Sequence, residues 1–434
     1  MRRACGLLLA VLVGLGGLST ETVLAQQPPV YQGGPVGYPP GPPMPIEPGP
    51  QYYEGTPTSD PFDSGAQPWY AGAEEVGPSP GLNAYNWIDG VYFRGEYLNW
   101  TVSNPGDVLL GAPVLGNPDP RKPFVALDAG NNPLGVVQVP STRDMTLHDL
   151  NGGRITLGAE FTYAGAMEVS GFMLERTTST IQPVGLGINT PAETPQGILS
   201  LPRLSGTSTL VNGAIANNVE TYNTFYQATY ESQIWGVDAS YYIDHDRDGF
   251  FQFQPSVGFR YIGLREKLLQ RGTFRDITFA DPIDTNTEID STTSNNLFGP
   301  QGGFRSELVT KYVVIGFENK IAFTANNMQA GVRSFHFRSN VDPEVITNED
   351  KVGFSPMVDL GVYSRVNLTQ NFSLRLGYNL MWIGRVTRPE DNVIYNDNGP
   401  YVPPFSFNLP DVVTNLTRHD IKVYGFNIGG EYRF

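Results

Sequence analysis

The chain has one cysteine, Cys5, and four histidines in 434 residues. With so few of either, disulfide staples, thiolate nucleophiles and Cys/His zinc sites are excluded as organising features. Charge is also scarce and one-sided. Only 16% of residues are charged, with 28 Lys+Arg against 43 Asp+Glu, a net −15. A nucleic-acid partner requires a basic face and is excluded on that ground. No stretch beyond residue 82 approaches the 18 or so apolar residues of a spanning helix. Glycine (49), proline (36), Phe (24) and Tyr (22) are abundant. Glycine and proline at that level argue against a helical protein, and so many aromatics argue against a disordered one.

Met1-Arg2-Arg3, the apolar run Leu7 to Leu18 and the small-residue end Val23-Leu24-Ala25 read as an export signal at 1–25, cleaved after Ala25. A membrane anchor is the rival, but the run is short and rich in glycine. Cleavage would remove Cys5 and leave a net charge of −16. Residues 26–81 hold 15 Pro, 10 Gly and six acidic residues, with no Lys or Arg. Such a segment favours polyproline II and cannot bury a core, so it reads as an acidic, disordered tether.

From 82 to 434 the recurring signal is period two. Phe372, Leu374, Leu376, Tyr378, Leu380 and Trp382 share one face, opposite Arg375, Gly377 and Asn379. Phe251, Phe253, Val257, Phe259 and Tyr261 alternate with Gln252, Gln254, Ser256 and Arg260, and Ile155, Leu157, Ala159 and Phe161 with Thr156, Gly158 and Glu160. Weaker patterns lie near 87–100, 166–176, 230–243, 297–308, 312–338, 352–366 and 420–434. Strands this long, with aromatics near their ends, point to an all-β transmembrane antiparallel up-and-down barrel whose apolar face meets lipid. A secreted soluble sandwich has the same period. Short connections near 164–165, 244–249, 309–310 and 367–371 alternate with long gaps at 101–152, 177–224, 265–293, 339–350 and 387–418. The pattern of short periplasmic turns and long outer loops predicts ten strands, or twelve if an outer loop hides a hairpin. On the last strand Tyr424, Phe426, Ile428, Tyr432 and Phe434 resemble a C-terminal signal read by the barrel-assembly machinery.

Several segments together resemble the putative beta barrel porin-7 family of planctomycete-type bacterial outer-membrane proteins. They are Gly153-Arg154-Ile155-Thr156-Leu157-Gly158, Gly258-Phe259-Arg260-Tyr261 with Leu264 and Glu266, Ser294 to Gly303, and Leu376-Gly377-Tyr378 through Arg388-Pro389. The resemblance spans about 85–434. It implies a barrel in outer-membrane lipid, and porin activity by architecture.

The polar face carries Arg94, Glu96, Glu160, Asp238, Arg260, Arg305, Glu307, Glu318, Lys320, Asp359, Arg365, Arg375, Arg385, Glu431 and Arg433. The two signs nearly balance there, which places the acidic surplus in loops and tether. Such an interior either bridges across the lumen or lines a narrow path with little ion preference. The expected function is passive passage of small hydrophilic solutes. The alternative is a closed structural or surface-binding barrel whose outer loops bind ligand.

Other chemistry is sparse. Asp244, Asp246 and Asp248 with Gly249 form the front half of a calcium loop, but Pro255 stands where the bidentate Glu belongs, so a polar hairpin turn is expected. His148-Asp149 has no further Asp pair at a telling spacing, and His336, between Phe335 and Phe337, reads as a polar tip at the membrane interface. No phosphate-cradling loop occurs, and the expectation is a protein without cofactor or enzymatic activity.

Overall fold

The structure is a computed structural model that describes residues 88–127, 132–161, 165–194, 197–243, 249–276, 281–398 and 412–434. The export signal, the Pro-rich segment and the Asp244–Asp248 turn lie outside these residues. The chain divides into two units, Met1–Gly77 and Pro78–Phe434, and the account below concerns the second.

Ten strands form the wall: β1 (Ile88–Val102), β2 (Leu150–Phe161), β3 (Gly165–Leu174), β4 (Phe225–Tyr242), β5 (Phe251–Asp276), β6 (Ile283–Val309), β7 (Val313–Phe335), β8 (Val345–Asn367), β9 (Phe372–Val386) and β10 (His419–Arg433). Each pairs antiparallel with its sequence neighbours, and β10 returns to β1 in the register Tyr92↔Arg433 to Val102↔Val423. The sheet therefore closes on itself, with every wall strand paired on both sides. Ten is the ring number; the twelve-strand alternative falls. No helix among the described residues is long and apolar enough to cross a membrane.

Strand length departs from the sequence expectation. β5 to β8 run 23 to 27 residues, whereas a tilted strand crosses the hydrocarbon in about 9–11. The gap 265–293, expected as an outer loop, is mostly wall and 339–350 is half wall, and β5 and β6 are joined only across 277–282. The cause is a change of phase. Near the short turns, apolar side chains such as Val257, Phe259 and Phe298 face outward and are exposed. Farther along the same strands Ile262, Leu264, Leu268, Leu297 and Ile289 face inward and are buried, while Arg265, Lys267 and Thr292 face out. The outer face must be apolar only against lipid; beyond it, the apolar face turns to the interior.

The remaining long connections are also partly strand. Gly197–Val211 pairs antiparallel with Ala214–Tyr222 and Gly187–Thr194, and parallel with Pro133–Gln138 and Asn396–Asp397. Tyr395 and Leu210 of this sheet pack with Ile289, Val332 and Phe337 at the outer ends of β6 and β7. His336 stacks on Phe335 there, just past the end of β7. Its backbone is in the left-handed region (φ 49°), where the strand ends.

Candidate functional site

Inward alternation on β1 to β10 delivers charges to one level of the interior, adjacent to the short turns. Arg305 grips Glu168 with two bonds of 2.7 and 2.9 Å and lies 3.5 Å from Glu318. Lys320 bridges Glu318 (3.1 Å) and Asp238 (3.0 Å). Arg260 reaches Asp359 at 2.9 Å and Asp238 at 3.8 Å. On the other side of the ring Arg94 meets Glu96, Glu168 and Glu431 at 3.4–3.6 Å, and Glu96 also faces Arg154 (3.7 Å) and Arg375 (3.6 Å). Glu431 accepts from Arg365 and Arg433, both 3.1 Å, and Arg433 reaches Glu160 at 3.2 Å. Glu307 lies 4.0 Å from Arg365.

Three tyrosines tie this belt to the wall. The hydroxyls of Tyr92, Tyr242 and Tyr363 donate to Glu168, Glu318 and Glu307. Arg305 lies 4.0 Å over the Tyr242 ring and Arg375 3.4 Å over that of Tyr363. Tyr92 and Tyr363 lie across from Gly158 and Gly316, their cross-strand partners, where any Cβ would strike the ring. Glycine is required at both places by this close approach.

The belt separates two regions. Towards the short turns, which mark the periplasmic end of such barrels, lies a cavity of about 400 Å³ lined by Tyr92, Gln252, Gln254, Arg365 and Arg433 among others. Towards the outer end, inward Leu98, Trp100, Ile262, Leu264, Met357, Met381 and Ile383 pack with Leu110, Met145 and Leu147 from the first outer connection into one apolar core. A second polar group lies within this region. Arg388 donates to both oxygens of Glu266 (3.0 and 2.9 Å) and to the Tyr230 hydroxyl (3.1 Å), which donates to Glu390 at 2.9 Å. Burial, opposed by Arg388 and reinforced by Glu266, raises Glu390 to about 8.

Of the charges expected on the polar face, Arg94, Glu96, Glu160, Asp238, Arg260, Arg305, Glu307, Glu318, Lys320, Asp359, Arg365, Arg375, Glu431 and Arg433 sit in this network. Arg385 does not. It occupies a bulge between Ile383 and Val386 with φ 58°, and its side chain is exposed. The extra residue breaks the period of two, so counting along the strand assigns it the wrong face. Glu168 and Arg154 were missed, although Ala166-Met167-Glu168-Val169 carries the same alternation. The grouping of Glu266, Asn295 and Arg388 had a signal too, since all three stand in the segments that resemble the porin-7 family. His148 and Asp149 are both exposed. Tyr432 stacks edge-on against Phe434, whose N–H donates to the Val91 carbonyl at 2.9 Å; Phe426 and Phe434 are exposed, and Tyr424 is half-buried. Among the described residues no cluster of three metal-ligating side chains occurs.

A closed antiparallel ring with an apolar outward belt and a charged interior is a transmembrane β-barrel of the outer-membrane type. The chain belongs to the putative beta barrel porin-7 family (BBP7), which residues 92–434 match. No curated protein matches it. Among solved structures it is similar to the outer membrane protease OmpT from Escherichia coli, at 8% identity over 80% of this chain and 97% of that one, with a TM-score of 0.39. It is also similar to a Pseudomonas aeruginosa FadL homologue (9% identity, 79% and 90% covered, TM-score 0.25) and to the P. putida toluene transporter TodX (8%, 80% and 90%, 0.18). Likeness at this level carries no substrate or chemistry across. The expectation of a protein without enzymatic activity does not stand, because a barrel fold does not by itself decide activity. One barrel architecture hosts passage and hydrolysis alike, and strand alternation is blind to the difference.

Proposed function

We propose that this barrel passes small hydrophilic solutes across the outer membrane through a lumen that is closed at rest. The observation behind this reading is the ionic belt. Buried ion pairs are poor stabilisers compared with well-packed apolar side chains, so a barrel that served only as a wall plug would be as well served by more of the Leu and Met that fill its outer half. A charged level facing a periplasmic cavity suits solutes that carry hydration and hydrogen-bonding groups. With the two signs balanced, little selection between anions and cations is expected.

A second reading, a sealed barrel that displays its outer sheet, draws on the apolar core beyond the belt. Planar-bilayer recordings separate the two. Passage predicts rare, small steps from folded wild-type protein and frequent steps from a variant lacking residues 388–397. Silence from both, with correctly folded protein, would leave only the sealed barrel.

A further inference from the structure

Beyond the bulge at the end of β9 the chain turns into the barrel. Thr387, Arg388, Glu390 and Asn392 are all 3% exposed or less, and the segment Thr387–Asp397 is held from several walls. The Thr387 N–H donates to Asn295 Oδ1 (2.9 Å), and the Thr387 carbonyl accepts from Asn295 Nδ2 (2.8 Å). Ser291 donates to the Pro389 carbonyl at 2.8 Å. Arg388 Nη1 donates to the carbonyls of Ser103 and Asn104, while Nε and Nη2 grip Glu266. From Thr387 to Asn392 the anchors are polar, and Tyr395 farther on adds an apolar contact with Ile289, Val332 and Phe337; the polar bonds are directional and strengthen one another.

The set has an imbalance. Two buried carboxylates, Glu266 of β5 and Glu390 of the segment, share the single guanidinium of Arg388, which lies 2.9 Å from the first and 3.3 Å from the second. The other groups facing Glu390 are the Tyr230 hydroxyl and Asp391, and Asp391 is paired at 3.1 Å with His419 of β10. We propose that Thr387–Asp397 is a displaceable internal plug latched to β5 by Arg388, and that gain or loss of one proton on Glu390 sets how firmly it is held.

The sign follows from linkage. Docked, Glu390 titrates at about 8; displaced into water, it returns to the ordinary 4.5. Docking is therefore fully favoured below about pH 4.5, weakens by up to about tenfold per pH unit above it, and levels off above about pH 8. That displacement opens a path for solutes rests on the passage reading above; the latch itself does not.

Hydrogen–deuterium exchange of the full chain in lipid nanodiscs between pH 4 and pH 9, expressed as protection factors, tests it. In wild type, protection across 387–395 should fall at least tenfold over that range while the inner half of β5 stays unchanged. In Glu390→Gln it should be high and flat. In Glu266→Gln the fall should move to lower pH, because Arg388 then serves Glu390 alone; this variant tests the latch even if the first misfolds. Flat protection in wild type, or an equal fall in Glu390→Gln, would overturn the proposal. Loss of protection without single-channel steps at pH 9 would keep the latch and remove the passage reading.

Discussion

Arg305 and Glu168 meet across the interior in a two-pronged ion pair, although β6 and β3 are separated in the ring by β4 and β5. Ladder bonds fix only adjacent strands, so a bridge of this kind constrains the cross-section of the barrel. Both side chains are under 10% exposed, and removing one strands the other in a poorly solvated layer. Arg305→Met should cost about 3 kcal/mol, and Glu168→Gln a similar amount. The double variant should cost clearly less than the sum. Urea unfolding in lipid, followed by tryptophan fluorescence, supplies the cycle; additive losses would mean that the pair does not act as a pair.

Gly316 makes room for Tyr363, whose ring carries Arg375 and whose hydroxyl donates to Glu307. A β-branched side chain at 316 expels the ring, and two belt interactions leave with it. Gly316→Val should destabilise by about 1–3 kcal/mol. Gly302, whose Cβ position has only one neighbour, at 3.9 Å, should tolerate alanine within about 0.5 kcal/mol. The comparison is read from unfolding midpoints of the two variants, and equal midpoints would refute the packing argument.

The barrel was legible because lipid imposes a strong alternation on one short stretch of each strand, as in Phe251 to Tyr261 and Phe372 to Trp382. The outer halves of β5 to β8 were not, because the apolar face changes sides between Tyr261 and Ile262, and a pattern that reverses phase looks like a break. Arg385 was misplaced by a bulge that leaves no mark in composition. The charges of the belt could be listed from the sequence, but which of them meet depends on register and stagger, and Arg305 with Glu168 is a pairing between distant strands. The plug segment was unreadable as such: Thr387–Asp397 lies in a gap that alternation assigns to an outer loop, and its inward turn shows only in the bonds that Thr387, Arg388 and Pro389 make to Asn295, Glu266 and Ser291.

The change of phase fixes where lipid ends, and that boundary can be tested on a single wall. Val257 of β5 is 54% exposed within the apolar belt, and Thr292 of β6 is exposed beyond it. A charge facing hydrocarbon costs about 2–4 kcal/mol near the midplane, whereas a charge facing water costs close to nothing. Val257→Arg should lower stability in bilayers by about that amount, and Thr292→Arg should leave it unchanged. Equal effects would mean that the lipid boundary has been misplaced.

Glu220, on the strand Ala214–Tyr222 of the outer sheet, gives that sheet a pH dependence of its own. Arg338 is already engaged by Asp342 at 3.2 Å and Asp397 at 2.8 Å. Burial first, then the charge of Asp397, opposed by Arg338, raises Glu220 to about 8. A carboxyl raised in the folded sheet stabilises it fully below its ordinary 4.5. The contribution declines as pH rises from there and is lost once pH passes about 8. Amide protection in Ala214–Tyr222, and in Asn396–Asp397, which pairs with the same central strand, should therefore fall between pH 5 and pH 9. Glu220→Gln should remove that fall while leaving the separate response of the Arg388 latch intact. A fall of the same size in Glu220→Gln would trace the effect to another group.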